Sequence, residues 1–187
     1  MASSASARKL TYDDYVSFPD DGQRHELIDG EHYVSPPPIT IHQRLSVRLT
    51  VALGRYFDAH PGSEVFHAPC GVKLSRWDAV EPDLFVVLED QSGIVTEKNV
   101  DGAPAMVIEI LSPSTRRYDE AIKRAAYDRF GVREYWIVDP VNAAVTVHRR
   151  ATGGDLRAMP ALTRTQAGVL TSPLLPGWSL VLTALFK

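Results

Sequence analysis

Little in the chain could tie it together covalently or anchor it in lipid. It has one cysteine in 187 residues, Cys70. A lone thiol cannot close an internal disulfide, and no second thiol stands at a metal-ligand spacing. Both points suit a reducing, cytoplasmic setting. No apolar run reaches the roughly 18 residues that a membrane-spanning helix needs, so no membrane partner is expected. The segment Met1 to Lys9 is small and polar, without the apolar centre of a secretory signal. It reads as a frayed tail over 1–9, ahead of one domain over 10–187. A basic excess is missing too: 20 Lys and Arg against 23 Asp and Glu give a net charge of -3. That counts against a nonspecific nucleic-acid coat. It does not exclude a nuclease, because a site built of carboxylates is itself acidic until its cation binds. What is present is 44% hydrophobic residues, enough for a sizeable core, and an ordinary 23% charged.

The pattern along the chain predicts an α+β fold (α/β-like), a mixed β-sheet core flanked by few helices. A short amphipathic helix starts after Thr11, with Asp13 and Asp14 in its first turn. His25 to Val34 reads as a hairpin about Asp29-Gly30. After Pro36-Pro37-Pro38, a helix is expected from about His42 to Ala59. Its stripe is Leu45, Leu49, Ala52, Leu53 and Tyr56, widened by Val51 and Phe57. Two apolar runs, Pro82 to Leu88 and Ala105 to Leu111, look like central buried strands. A helix from about Tyr118 to Phe130 ends at Gly131. Strands follow at 134–138 and 144–148, with late ones near 158–162 and 178–182.

Within this pattern one charge is out of place. Glu109 sits in the middle of an apolar run, where a carboxylate is costly unless something compensates it. Alternation puts Val107 and Leu111 on its face, and Ile108 and Ile110 on the other. Asp83 opens the other apolar run after Pro82. Two such acids on adjacent strands can share a divalent cation, since magnesium keeps several waters and needs only one or two carboxylates. Lys123 lies four residues from both Asp119 and Tyr127, so one helical face carries all three. Spacing alone favours a plain solvated Asp119–Lys123 pair, worth about 0.3 kcal/mol. Cys70, Ser112 and the histidines offer no comparable constellation. Ser112 or Ser114 reads as a turn cap, and Tyr135 and Trp136 as core.

The strings His25-Glu26-Leu27-Ile28-Asp29-Gly30-Glu31, Pro82-Asp83, Glu109-Ile110-Leu111-Ser112-Pro113-Ser114-Thr115 and Glu134-Tyr135-Trp136-Ile137-Val138-Asp139-Pro140 resemble the Uma-type endonucleases. These belong to the restriction-endonuclease-like PD-(D/E)XK superfamily. The resemblance runs from Leu10 to Phe186. It implies a restriction-endonuclease-like core and a magnesium-dependent endonuclease acting on DNA, with manganese as a substitute. Asp83 corresponds to the metal-binding aspartate, Glu109 to the acid of the second half-motif, and Ile110 joins them in the metal set. The lysine of the pattern stands two residues after that acid, where this chain has Leu111. The resemblance therefore implies a lysine moved to the following helix, Lys123, which would assist the attacking water.

Glu26 resembles the acid that some of these nucleases supply from an N-terminal element. A solvent-facing strand residue is an equal reading. His42 and Gln43 open the long helix, whose free N–H groups favour anions. With Tyr127 they form the expected substrate-binding set. Restriction-type folds often cut two strands with two subunits, so a homodimer is implied as well. Two alternatives stay open: a non-catalytic nucleic-acid or protein-binding module on the same fold, suggested by Leu111 and the negative net charge, and a hydrolase of another phosphoester.

Overall fold

The structure, a computed structural model, describes residues 8–187. Most of the expected tail lies outside the described residues. Leu10 is already tied down, its N–H donating to the Gly30 carbonyl at 2.9 Å. Helix α1 (Tyr12–Tyr15) is capped by Thr11, as its sequence predicts, and Asp14 returns the bond in a reciprocal box. Strands β1 (Arg24–Ile28) and β2 (Glu31–Ser35) pair antiparallel across Asp29 and Gly30. Both turn residues have positive φ, 52° and 77°, the conformation that an Asp-Gly hairpin turn requires.

Helix α2 (Thr40–Asp58) buries Leu45, Leu49, Leu53 and Phe57, one residue per turn. Val51, expected in the stripe, is exposed instead, because two residues from Leu49 and Leu53 it turns about 200° away, onto the opposite face of the helix. Strands β3 (Glu64–His67), β4 (Val72–Ser75), β5 (Asp78–Val80), β6 (Leu84–Val87), β7 (Val100–Asp101) and β8 (Met106–Ile110) follow. A helical segment then begins near Arg116. Its first full turns, Tyr118–Lys123, are π-helical rather than α-helical as the sequence predicts, and only Arg124–Arg129 (α3) is regular. Strands β9 (Glu134–Asp139) and β10 (Ala144–Arg150) complete the main sheet. The late strand expected at 158–162 is two short pieces, β11 (Leu156–Ala158) and β12 (Leu162–Thr163), both paired with β10. Pro160, which has no N–H for the ladder, lies in the break. A hairpin of β13 (Val169–Thr171) and β14 (Ser179–Val181) and a last turn, α4 (Leu182–Leu185), close the fold.

Two sheets position the site. The larger has the order β11-β10-β9-β8-β6-β3, with β8 and β9 parallel and its other pairs antiparallel. The smaller has the order β2-β1-β5-β4-β7. Strand alternation divides the core. Leu84, Val86, Met106, Ile108, Ile110, Trp136 and Val138 pack on α2 and the C-terminal segment. Phe85, Val87, Val107, Leu111, Tyr135 and Ile137 pack on α3 and the smaller sheet. Glu109 belongs by alternation with the second group, at the end of β8, and the β6–β8 register brings Asp83 opposite it. Truncating α2 should therefore weaken the fold without touching the acids: Leu49→Ala is expected to cost about 2–5 kcal/mol. Urea unfolding with an unchanged denaturant slope would report it.

Candidate active site

Six side chains from five parts of the chain converge at the edge between the two sheets. Glu26, Asp83, Glu109, Asp119 and Lys123 are each at most 3% exposed, and His42 is 7% exposed. Glu26 comes from β1, two residues after Arg24 and so on the same strand face. Asp83 precedes β6, Glu109 is on β8, and His42 is in the first turn of α2. Asp119 and Lys123 come from the π-helical turn, whose wider register brings both side chains inward.

The hydrogen bonds are specific to each carboxylate oxygen. Glu109 Oε1 accepts from Lys123 Nζ at 2.9 Å and from the Tyr127 hydroxyl at 2.8 Å. Glu109 Oε2 accepts from the Asp83 N–H at 3.3 Å. Lys123 Nζ also lies 2.9 Å from Glu26 Oε1 and 3.8 Å from Asp119 Oδ1. Asp83 Oδ2 takes the Ile110 N–H at 2.8 Å and faces His42 Nε2 at 2.9 Å. Asp83 Oδ1 accepts from Arg24 Nη1 at 2.7 Å. Glu26 Oε1 further accepts the Glu81 N–H, while Glu26 Oε2 is buried with no partner.

The site is short of positive charge. Four carboxylates, Glu26, Asp83, Glu109 and Asp119, face two cations, Lys123 and Arg24. Burial pushes the Glu109 carboxyl up to about 8, against the pull of Lys123 and with the push of neighbouring acids. Burial likewise raises Asp119, to about 6. Asp83 goes the other way: its burial is outweighed by the His42 bond and by Arg24, which hold it well below the usual carboxylate range. Burial alone would lower Lys123, but Glu109, Glu26 and Asp119 overcome it and keep the ammonium charged. Burial also raises Tyr127, so its hydroxyl keeps its proton.

A cleft of about 310 Å³ opens over this cluster, between the Pro36-Pro37-Pro38 wall and the Ser112–Thr115 turn. Ser112 caps that turn, its hydroxyl accepting the Thr115 N–H at 3.2 Å. Thus Glu26, His42, Asp83, Glu109, Lys123 and Tyr127 come together, and Ile110 contributes its N–H to Asp83. Gln43 stands apart, lining a second cavity beyond His42. Arg24 and Asp119 complete the cluster, and sequence reasoning gave Arg24 no role. An arginine at the start of a polar-looking strand carries no signal beyond its two-residue spacing from Glu26.

Hard oxygen donors, an excess of negative charge and the unpartnered buried Glu26 Oε2 fit a divalent cation. Among the described residues no three His, Cys, Asp or Glu side chains form a ready-made cage. That suits a cation which keeps much of its water. The mixed α+β architecture is that of a nuclease-like fold. The family described as "Uma2: Putative restriction endonuclease" matches residues 12–184, and the chain belongs to that family. A crystal structure titled as a "putative nuclease" from Anabaena variabilis shares the fold, with a TM-score of 0.79 at 18% identity over 95% of this chain and 97% of that one. An uncharacterized protein of Synechocystis sp. is 24% identical over 155 residues, 81% of this chain and 80% of its own length.

The raised Glu109 carboxyl has a consequence for stability. An acid whose pKa is higher when folded binds its proton more tightly in the folded state. Its stabilisation is complete at low pH and is lost as pH rises from the ordinary 4.5 through about 8. In chelator-treated protein, wild type should therefore lose stability between pH 5 and 8 relative to Glu109→Gln, measured by urea unfolding. The opposite slope would refute the assignment.

Proposed function

We propose that this protein is a magnesium-dependent endonuclease that hydrolyses phosphodiester bonds in DNA. The observation that carries the reading is Lys123. It stands 14 residues from Glu109 in sequence, yet its ammonium is buried 2.9 Å from both Glu109 and Glu26. It reaches from the helix into the acid cluster, while Leu111 at the motif's lysine position is 4% exposed and packs in the core.

Asp83 and Glu109, with the main-chain carbonyl of Ile110, would hold the cation, and manganese would serve in its place. When bound, that ion supplies a more acidic water and a counter-charge for the phosphate. The chain's own groups do the rest. Because Lys123 stays protonated, it takes no proton from water. It orients the nucleophile and offsets charge on the phosphate. Glu26, with one oxygen free of partners, is placed to accept from a water held beside Lys123. Tyr127 donates to Glu109 Oε1 and fixes that carboxylate. His42 fixes Asp83, and Gln43 lies where the cleft continues along α2. A cut in both strands of a duplex would use two copies of the chain.

Supercoiled plasmid with magnesium or manganese tests this. Wild type should nick it, Asp83→Ala and Glu109→Gln should not, and Lys123→Ala should fall by about 100-fold or more. Silence of wild type, or equal nicking by Asp83→Ala, would sink the reading. Duplex binding by wild type with no cleavage would favour a non-catalytic binding module. Dilution should lower cleavage of both strands before nicking if two copies act together.

A further inference from the structure

We propose that Arg24 is a substrate-phosphate clamp, parked on Asp83 until a cation and a phosphodiester arrive together. The inference rests on the endonuclease reading and adds a residue and a coupling to it.

Arg24 is the only side chain that donates to Asp83 Oδ1 among the described residues, at 2.7 Å from Nη1. The other oxygen, Oδ2, is already taken by His42 and the Ile110 N–H. The carboxylate oxygen left for a cation is therefore the one that Arg24 occupies. Its Nε faces Glu81 Oε1 at 3.2 Å, which anchors the stem of the fork. Its second terminal nitrogen, Nη2, has no hydrogen-bond partner among the described residues. The side chain is 17% exposed and lines both the main cleft and the adjoining cavity of about 210 Å³.

The two sides of Arg24 differ in charge. Toward the main cleft lie Glu109 and Asp119. The adjoining cavity has no acid but Asp83 and is walled by uncharged polar groups such as Gln43, Ser46 and Thr50. A guanidinium with an unpartnered nitrogen, lining such a groove, matches phosphate oxygens, which it binds through paired N–H bonds. Arg24 would be repelled from Oδ1 by a divalent ion held at Asp83 and would find new oxygens on a phosphate. Each ligand thus removes a cost that the other would meet alone. By linkage the two must tighten each other by the same factor.

The test uses calcium ions, which carboxylate oxygens also bind, and a short labelled DNA duplex. Calorimetry gives calcium affinity with and without duplex, and fluorescence anisotropy gives duplex affinity in calcium or in chelator. For wild type, each ligand should tighten the other by about 5-fold or more. Arg24→Met should bind calcium more tightly than wild type when no DNA is present, and the mutual tightening should shrink toward 1. Arg24→Lys keeps a charge on Asp83 without the fork, so it should bind calcium alone as wild type does and still lose most of the tightening. If Arg24 is only a strut, Arg24→Met will bind calcium no better and keep the tightening, which overturns the proposal. Absence of mutual tightening in wild type overturns it whether or not the variants fold. A wild type that shows the tightening but never nicks plasmid would support the clamp and refute the endonuclease reading.

Discussion

The buried ammonium of Lys123 is the interaction on which the site depends. A lysine this deep would ordinarily shed its proton, since burial penalises the charged form. Here three carboxylates within 4 Å reverse that penalty. The same ammonium makes it tolerable for Glu26, Asp119 and Glu109 to share a space almost closed to water. Take it away and several acids are left in a low-dielectric pocket with Arg24 as the one remaining cation, off to the side on Asp83. Breaking a buried pair by removing one partner is far more damaging than the pair itself is stabilising. The cluster is thus better understood as a specification of geometry than as a source of stability.

That specification relies on apolar packing around it. Glu109 is flanked in its strand by residues of both core groups, so the strand cannot slip by one without sending Ile108 and Ile110 into the acid cluster. On the facing helical segment, Ala126 and Tyr127 are buried beside the same sheet face. They hold the π-helical turn against it, and with it Lys123. Tyr127 serves both roles, its ring packing in the core and its hydroxyl on Glu109. The uneven titration of the cluster follows from this rigidity. Both carboxylates meet donors on both oxygens, but Asp83 has the Arg24 guanidinium on one of them and is held low, while burial and the neighbouring acids push Glu109 up. A cation with two charges is the ligand that such an imbalance would favour.

Much of this is legible in the sequence itself. Glu109 and Asp83 were visible because a charge in an apolar run has few innocent explanations, and the alternation that placed Glu109 with Val107 and Leu111 is the one observed. Lys123 was legible only through the resemblance, since an Asp–Lys pair four apart is the commonest of surface features. Its burial is a tertiary fact. The π-helical turn left no trace, because Tyr118 to Phe130 has good helix formers and no residue that demands a wider turn. Arg24 was hidden for a similar reason. Its partners are 57 and 59 positions away, at Glu81 and Asp83, and only the pairing of β1 with β5 draws them together.

Leu111 brings these threads together. At that position the motif of the wider superfamily carries its lysine on the same strand as the acid. Here the side chain is apolar, buried and part of the core that seats α3. The chain carries no charge at that position and instead packs there against the helical segment that bears Lys123. The two positions are linked physically: the leucine helps to hold the helix at the distance from which Lys123 can reach Glu109. A lysine delivered from the helix also depends on helix placement in a way that a strand lysine would not. The turn between Ser112 and Thr115 joins the strand of Glu109 to the helix of Lys123 and also forms one wall of the cleft.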